Sequence, residues 1–235
     1  MFNPRPSIQK FPLHEGHVCL VVDDVLAEPE RFVALAQKHA AEFREGAWNA
    51  YPGPELPLSE SITARLADFF AVHARSALGG RRTLRAHSRL ALVTRPPESL
   101  MPAQWICHRD RLTLEPGTCI AASVLYLFKD ESLGGTSFYR PRRPMAEIAQ
   151  LVNDSGALSP ADFSARYGIR PGYMTDSNAW FERTATVPAR YNRLILYRGD
   201  VFHSGDIAHP EKLTIDPAMC RLSLNGFFTC RVGAG

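Results

Sequence analysis

The chain lacks any apolar run approaching the length that spans a bilayer, and Met1 to Lys10 contain no uninterrupted apolar stretch of the kind an export signal needs. No membrane span or secretory leader is expected, and the expected compartment is the cytoplasm. Cys-x-x-Cys pairs are also missing. The 5 cysteines, Cys19, Cys107, Cys119, Cys220 and Cys230, each sit in an apolar, strand-like run, so they read as small buried hydrophobes and not as a disulfide framework or zinc site. Charge of one sign is scarce: 27 basic against 24 acidic residues leave +3, and the one basic cluster, around Arg140, Arg142 and Arg143, is interrupted by prolines. Nucleic-acid binding is therefore not expected. Repeats and low-complexity tracts are absent.

What remains is a chain of 235 residues, 45% hydrophobic and 22% charged, able to bury a sizeable core and read as a single domain over 1–235. His17 to Asp23 reads as a strand. Glu28 to Phe43 places Phe32, Leu35, Ala36, His39 and Phe43 at helical spacing, with Pro29 suited to a first turn. The prolines and glycine of Trp48 to Leu58 exclude regular structure there, and Ser59 opens a second helix carrying Ile62, Leu66, Phe69, Phe70 and His73 on one face. His39 and His73 continue apolar stripes and read as packing residues.

After Thr83 the period changes from helical to two. Strands are expected over Thr83 to Thr94, Gln104 to His108, Thr118 to Phe128, Thr136 to Tyr139, Trp180 to Val187, Arg193 to Tyr197 and Cys220 to Cys230, with a turn at Gly134-Gly135. Arg140 to Thr175 reads as an insertion, with one helix from Met145 to Val152 and another starting at Ser159-Pro160. The fold class is mainly β with N-terminal helices: 1–82 form a strand and helical buttress, 83–139 and 179–231 a β-sandwich or open barrel, and 140–178 the insertion, overhanging one end.

The chemistry begins at His108-Arg109-Asp110. In an extended segment residues i and i+2 point to one side, so the imidazole and the carboxylate converge. With 8 histidines in 235 residues, about 0.4 such His-x-Asp triplets arise by chance, so the motif needs support from elsewhere. His203 lies where a late strand turns into a loop and could meet the pair at one rim. Two His and one carboxylate leave open positions on Fe(II). His209 is a rival third ligand. Plainer readings stand beside these: a hydrogen-bonded turn for His108 and Asp110, a core aromatic for Tyr126, a structural ion pair of Arg221 with Asp200 or Asp206, and an ordinary hairpin at Gly134-Gly135.

Taken in order, His108-Arg-Asp110, Val124-Leu-Tyr126-Leu127, Gly134-Gly-Thr136, Arg193-Leu-Ile-Leu-Tyr197 leading to His203-Ser-Gly205, and Arg221-Leu-Ser223 resemble the iron(II)- and 2-oxoglutarate-dependent oxygenases of the double-stranded β-helix type, a jelly-roll or cupin-like barrel, in the style of the prolyl-hydroxylase-like branch. The resemblance implies Fe(II) on His108, Asp110 and His203, with 2-oxoglutarate and dioxygen as cosubstrates. It implies that Arg221 takes the far carboxylate of 2-oxoglutarate, shared with the Tyr126 hydroxyl, with Ser223 adding another. A guanidinium forks onto a carboxylate and keeps its charge when enclosed. The family usually places this arginine closer behind the last histidine, so the loop holding His209, Pro210 and Pro217 is extra. The activity implied is hydroxylation of an unactivated C–H bond with decarboxylation of 2-oxoglutarate to succinate. Asp110 argues against a halogenase, where halide needs the carboxylate's position. Two other readings are a non-catalytic ligand-binding barrel and a cupin-like metalloprotein without 2-oxoglutarate. The substrate, small molecule or peptide, is not specified, although Arg140 to Pro144 and Trp180-Phe181 lie where substrate loops are expected. A homodimer is left open.

Overall fold

The computed structural model describes residues 1–46, 51–110 and 115–232. Its strands are β1 (Ile8–Pro12), β2 (Val18–Val22), β3 (Glu55–Pro57), β4 (Gly80–Val93), β5 (Thr118–Tyr126), β6 (Thr136–Pro141), β7 (Phe181–Val187), β8 (Leu194–Arg198), β9 (Phe202–Gly205) and β10 (Arg221–Val232); its helices are α1 (Glu30–Lys38), α2 (Glu60–His73), α3 (Met145–Ala157) and α4 (Pro160–Tyr167). The strands form two antiparallel sheets, a seven-stranded one in the order β1-β2-β8-β5-β10-β4-β3 and a three-stranded one in the order β7-β6-β9. Of the two forms expected from the sequence, a β-sandwich or an open barrel, the strands give two separate sheets, with no closed ring of strands among the described residues.

Alternation along the central strands sorts side chains between two environments. Leu90 and Leu92 of β4, Ala121 and Leu125 of β5, and Leu222, Leu224 and Phe228 of β10 share a core with Phe32 of α1 and Leu66, Phe69 and Phe70 of α2. Phe70 stacks on Phe228 with ring centroids 4.0 Å apart and planes at 7°. Burying such side chains contributes about 1.5–3 kcal/mol each, which is what holds the two helices to the large sheet. The opposite face meets the small sheet through Ala122, Tyr126, Ile195 and Tyr197 against Phe138 and Val187. A third core forms where α3 and α4 cover the far side of the small sheet, with Ile148, Leu151 and Phe163 packed on Tyr139, Phe181, Phe202 and Trp105. Ser159 caps α4 by accepting from the Asp162 N–H, and Gly168 closes it in the left-handed region.

Three expectations are corrected. Gln104 to His108 is not a strand: Pro102–Gln104 is a 3-10 turn, Trp105, Ile106 and Cys107 are all buried, and ladder pairing is confined to one bridge, His108 to His203. Consecutive burial also occurs in interior strands such as β8, but here the cover comes from α3 and α4 and not from neighbouring strands. Within the segment read as irregular, Glu55–Pro57 forms a short edge strand against β4, with Pro57 at its end where a missing N–H costs no ladder bond; Trp48 lies outside the described residues. The strand β1, paired with β2, was not expected at all. All 5 cysteines are buried and free. No helix among the described residues is long and apolar enough to cross a membrane.

Candidate metal centre

His203 sits on β9 opposite Phe138 of β6, so its side chain points between the sheets, and it is 4% exposed. Its backbone exchanges two hydrogen bonds with His108, each at 2.9 Å, which fixes the otherwise irregular His108 segment beside it. Two residues on, the Asp110 N–H donates to the Gly199 carbonyl at 2.8 Å, tying the carboxylate to the corner between β8 and β9. That corner has to be glycine: a Cβ on Gly199 would lie 2.5 Å from Asp110 Oδ2 and 3.1 Å from Ile120 Cγ2.

The three side chains converge. One ligand-competent atom from each of His108, Asp110 and His203 lies within 4.8 Å of the others. His203 Nε2 is 3.4 Å and His108 Nε2 3.8 Å from Asp110 Oδ1. An ion bound at roughly 2.0–2.2 Å sets ligands at right angles about 3 Å apart and opposed ligands about 4 Å apart, so the spacing suits one ion. The tautomer suits it as well. His203 Nδ1 lies 2.8 Å from the Val201 carbonyl, so a ring proton is assigned there and Nε2 faces Asp110, donating to the carboxylate when it too is protonated and offering its lone pair to a metal when it is not.

The charges agree. Burial opposes ionisation of Asp110, but His203, its hydrogen bond and His108 outweigh it and hold the carboxyl below its ordinary range. Crowding by the surrounding wall, then His203, lowers the His108 imidazole, although 42% of its side chain still faces the open cavity. Burial pulls His203 down, and the Asp110 carboxylate and the Val201 carbonyl more than reverse this. Asp110 Oδ2 is buried with no hydrogen-bond partner. An anionic oxygen shut away without a donor costs on the order of 1–3 kcal/mol or more, a cost that a bound cation removes. The donor set therefore fits a divalent metal.

The triad opens on a cavity of about 940 Å³, in the upper range of small-molecule sites, lined on the large sheet by the inward faces of β4 and β10. Arg221 and Ser223 are both there, 4% and 1% exposed. The Arg221 guanidinium donates from Nε to the Leu133 and Gly134 carbonyls, each at 3.1 Å, and from Nη2 to the Gly135 carbonyl at 2.8 Å. No carboxylate of the described residues pairs with it. The ion pairs weighed from the sequence are taken elsewhere, Asp200 by Arg198 and Asp206 by Arg183. Gly134 and Gly135 thus do more than turn the chain. Their carbonyls hold one edge of the guanidinium, and a Cβ on either would run into backbone, Asp206 O at 1.8 Å and Val187 O at 2.0 Å.

Tyr126 is placed differently. It is fully buried, and its hydroxyl meets Thr136 Oγ1 at 2.8 Å, so that Thr136 lines the cavity in front of it. His209 is on the surface beside Glu211 and takes no part. The Arg140 and Arg142 side chains pair with Glu182. Sequence reasoning missed several wall residues. Tyr51 lies 3.5 Å from Ser223 Oγ, Arg89 pairs with Glu55 at 2.8 Å, and Asn225 presents a buried amide oxygen with no partner. Period-two spacing from Arg221 through Ser223 was the signal for Asn225.

Residues 4–228 match the model of a family described as one of unknown function, DUF6445. The chain belongs to that family. No curated protein matches it. Among solved structures, the chain is similar to the non-heme alpha ketoglutarate dependent carbocyclase SnoK from nogalamycin biosynthesis, at 13% identity and TM-score 0.52, covering 90% of this chain and 79% of that one. It is also similar to HygX from Streptomyces hygroscopicus with nickel and 2-oxoglutarate bound, at 15% identity and TM-score 0.51, covering 90% and 82%. At such identities the likeness establishes a shared fold, mainly β with antiparallel sheets.

Proposed function

We propose that the protein is a non-haem Fe(II)- and 2-oxoglutarate-dependent oxygenase that hydroxylates an unactivated C–H bond. The observation that carries this reading is one cavity holding both a His-Asp-His cluster with an orphaned carboxylate oxygen and a buried arginine without a counter-anion. His108, Asp110 and His203 would hold the metal, which, with 2-oxoglutarate, would supply the power to activate dioxygen. Asp110 neutralises half of a divalent charge, and the Val201 carbonyl orients His203.

Arg221 presents its remaining donors to the cavity, where the far carboxylate of 2-oxoglutarate would dock, and Ser223 adds a hydroxyl on the same strand face. The Gly134 and Gly135 carbonyls keep that guanidinium from swinging away when the site is empty. Tyr126 acts through Thr136, by fixing its hydroxyl.

Anaerobic addition of Fe(II) and 2-oxoglutarate tests the reading. The expected result is a weak visible charge-transfer band, followed in air by uncoupled formation of succinate. A protein that binds Fe(II) but gives neither band nor succinate is better described as a cupin-like metalloprotein, and one that binds neither component as a ligand-binding sandwich.

A further inference from the structure

Arg109 stands between two of the three clustered residues, yet its side chain takes a separate course. Its Cζ lies 4.9 Å from the centroid of the Phe202 ring, and Phe202 belongs to the apolar cluster of α3 and α4. Arg109 Nε is buried with no hydrogen-bond partner, and no carboxylate of the described residues pairs with the guanidinium. The residue as a whole is half-buried, and a shut-away donor left unpaired is costly. Of the other two arginines that line the cavity, Arg89 is matched by Glu55 and Arg221 is held by backbone carbonyls.

Charge balance makes Arg109 the odd group out. On the oxygenase reading, the three positive charges of a divalent metal and Arg221 are offset together by Asp110 and the two carboxylates of 2-oxoglutarate, and the positive charge of Arg109 is left over. Donor geometry gives the same answer. Arg221 has spent its Nε edge on three carbonyls, whereas the Nη1 and Nη2 of Arg109 take part in no hydrogen bond among the described residues and are not shut away as its Nε is, which leaves its terminal edge open for a planar, bidentate acceptor. Ile106, Ile148, Val152 and Met174 line the same cavity, and Ile106, Ile148 and Met174 share the apolar cluster of Phe202.

We infer that Arg109 anchors a carboxylate carried by the organic substrate, whose apolar body lies against Phe202 and α3 while its reacting end reaches the His108 side of the cluster. The word substrate rests on the oxygenase reading; the anion site itself does not. Arg109 and Arg221 then divide the work, the first reading the substrate's anion and the second the cosubstrate's.

The test compares 4-phenylbutyrate with its uncharged amide by calorimetry, on wild type, Arg109→Gln and Arg221→Gln, with binding of 2-oxoglutarate measured separately on each. Wild type and Arg221→Gln should bind the acid at least about tenfold more tightly than the amide, and Arg109→Gln should lose that preference while keeping its affinity for 2-oxoglutarate. Arg109→Met, which keeps an apolar stem on Phe202, serves as a second variant should the glutamine form fold poorly. Equal binding of acid and amide by wild type, binding of neither, or a preference that survives without Arg109 overturns the inference. So does a preference lost only in Arg221→Gln, which would put the probe at the deep arginine. Failure of 2-oxoglutarate to bind any of the proteins would count against the oxygenase reading alone.

Discussion

Leu222, Leu224 and Phe228 leave β10 toward the N-terminal helices, whereas Arg221, Ser223 and Asn225 leave the same strand toward the cavity. The helix side is mostly apolar and closely packed: Phe228 stacks on Phe70, and Gly226 is so closely covered that a Cβ would come within 2.6 Å of Leu66 Cδ2 and 2.7 Å of Ser123 Oγ, itself a small buried hydroxyl without a partner. The cavity side instead carries larger polar and charged groups in that condition. Asn225 is 5% exposed with an orphan amide oxygen, and Arg221 is 4% exposed with no carboxylate. Unsatisfied buried polar groups lower stability, so a face that keeps them is shaped by what it binds. The two faces should therefore fail differently when altered.

The largest effect is expected at the metal end of the cavity face. Asp110→Ala removes the anionic member of the cluster and should lower Fe(II) affinity by more than the roughly 10–100-fold that loss of a supporting partner costs, with succinate formation falling to background. Anaerobic metal titration checks this, and near-normal affinity would mean that Asp110 is not a ligand. On the helix face, Phe228→Ala should cost about 3–5 kcal/mol in urea unfolding, because the cavity left against Phe70 cannot fully collapse, while the protein that remains folded still binds metal. A Phe228→Ala protein of unchanged stability would break the contrast between the faces.

The contrast also explains what could be read from the sequence alone. The helix face was legible: Leu66, Phe69 and Phe70 sit at helical spacing and do pack inward, and the alternation of β4 and β10 told which side chains share a face. The cluster of His108, Asp110 and His203 was legible as a convergence. The Trp105-Ile106-Cys107 run was not, because an apolar triplet covered by α3 and α4 looks the same in sequence as an interior strand. The cradle of Arg221 was hidden for another reason. It consists of backbone carbonyls, which carry no residue signature beyond the permission that Gly134 and Gly135 give.

Arg221→Gln sharpens the comparison within the cavity face. The metal cluster should remain intact, and the requirement for 2-oxoglutarate should rise by an amount on the order of 2–5 kcal/mol of lost binding, read as a shift in the dissociation constant. Unchanged affinity for 2-oxoglutarate together with normal Fe(II) binding would remove Arg221 from the cosubstrate site.

The smallest effect is expected at an ion pair that serves neither face. Asp23 ends β2 and accepts from Arg193 at 2.6 and 3.0 Å, just where Val22 pairs with Leu194, and Arg190 approaches it at 3.2 Å. The hydrogen bond from Arg193, opposed by partial burial and aided by the charge of both arginines, holds the Asp23 carboxyl below its ordinary value. Because the folded value is depressed, the pair contributes its full stability above the unfolded value of about 3.9 and loses it as pH falls through the folded value. The side chain of Asp23 is 23% exposed, so screening keeps the contribution near 1 kcal/mol or less. Asp23→Asn should therefore lie below wild type in urea unfolding by a constant, small amount from about pH 5 to 8, and the two curves should converge below about pH 4. A deficit that persists undiminished at pH 3 would trace the loss to the altered hydrogen bonding of the amide and not to charge, and salt should then leave it unchanged.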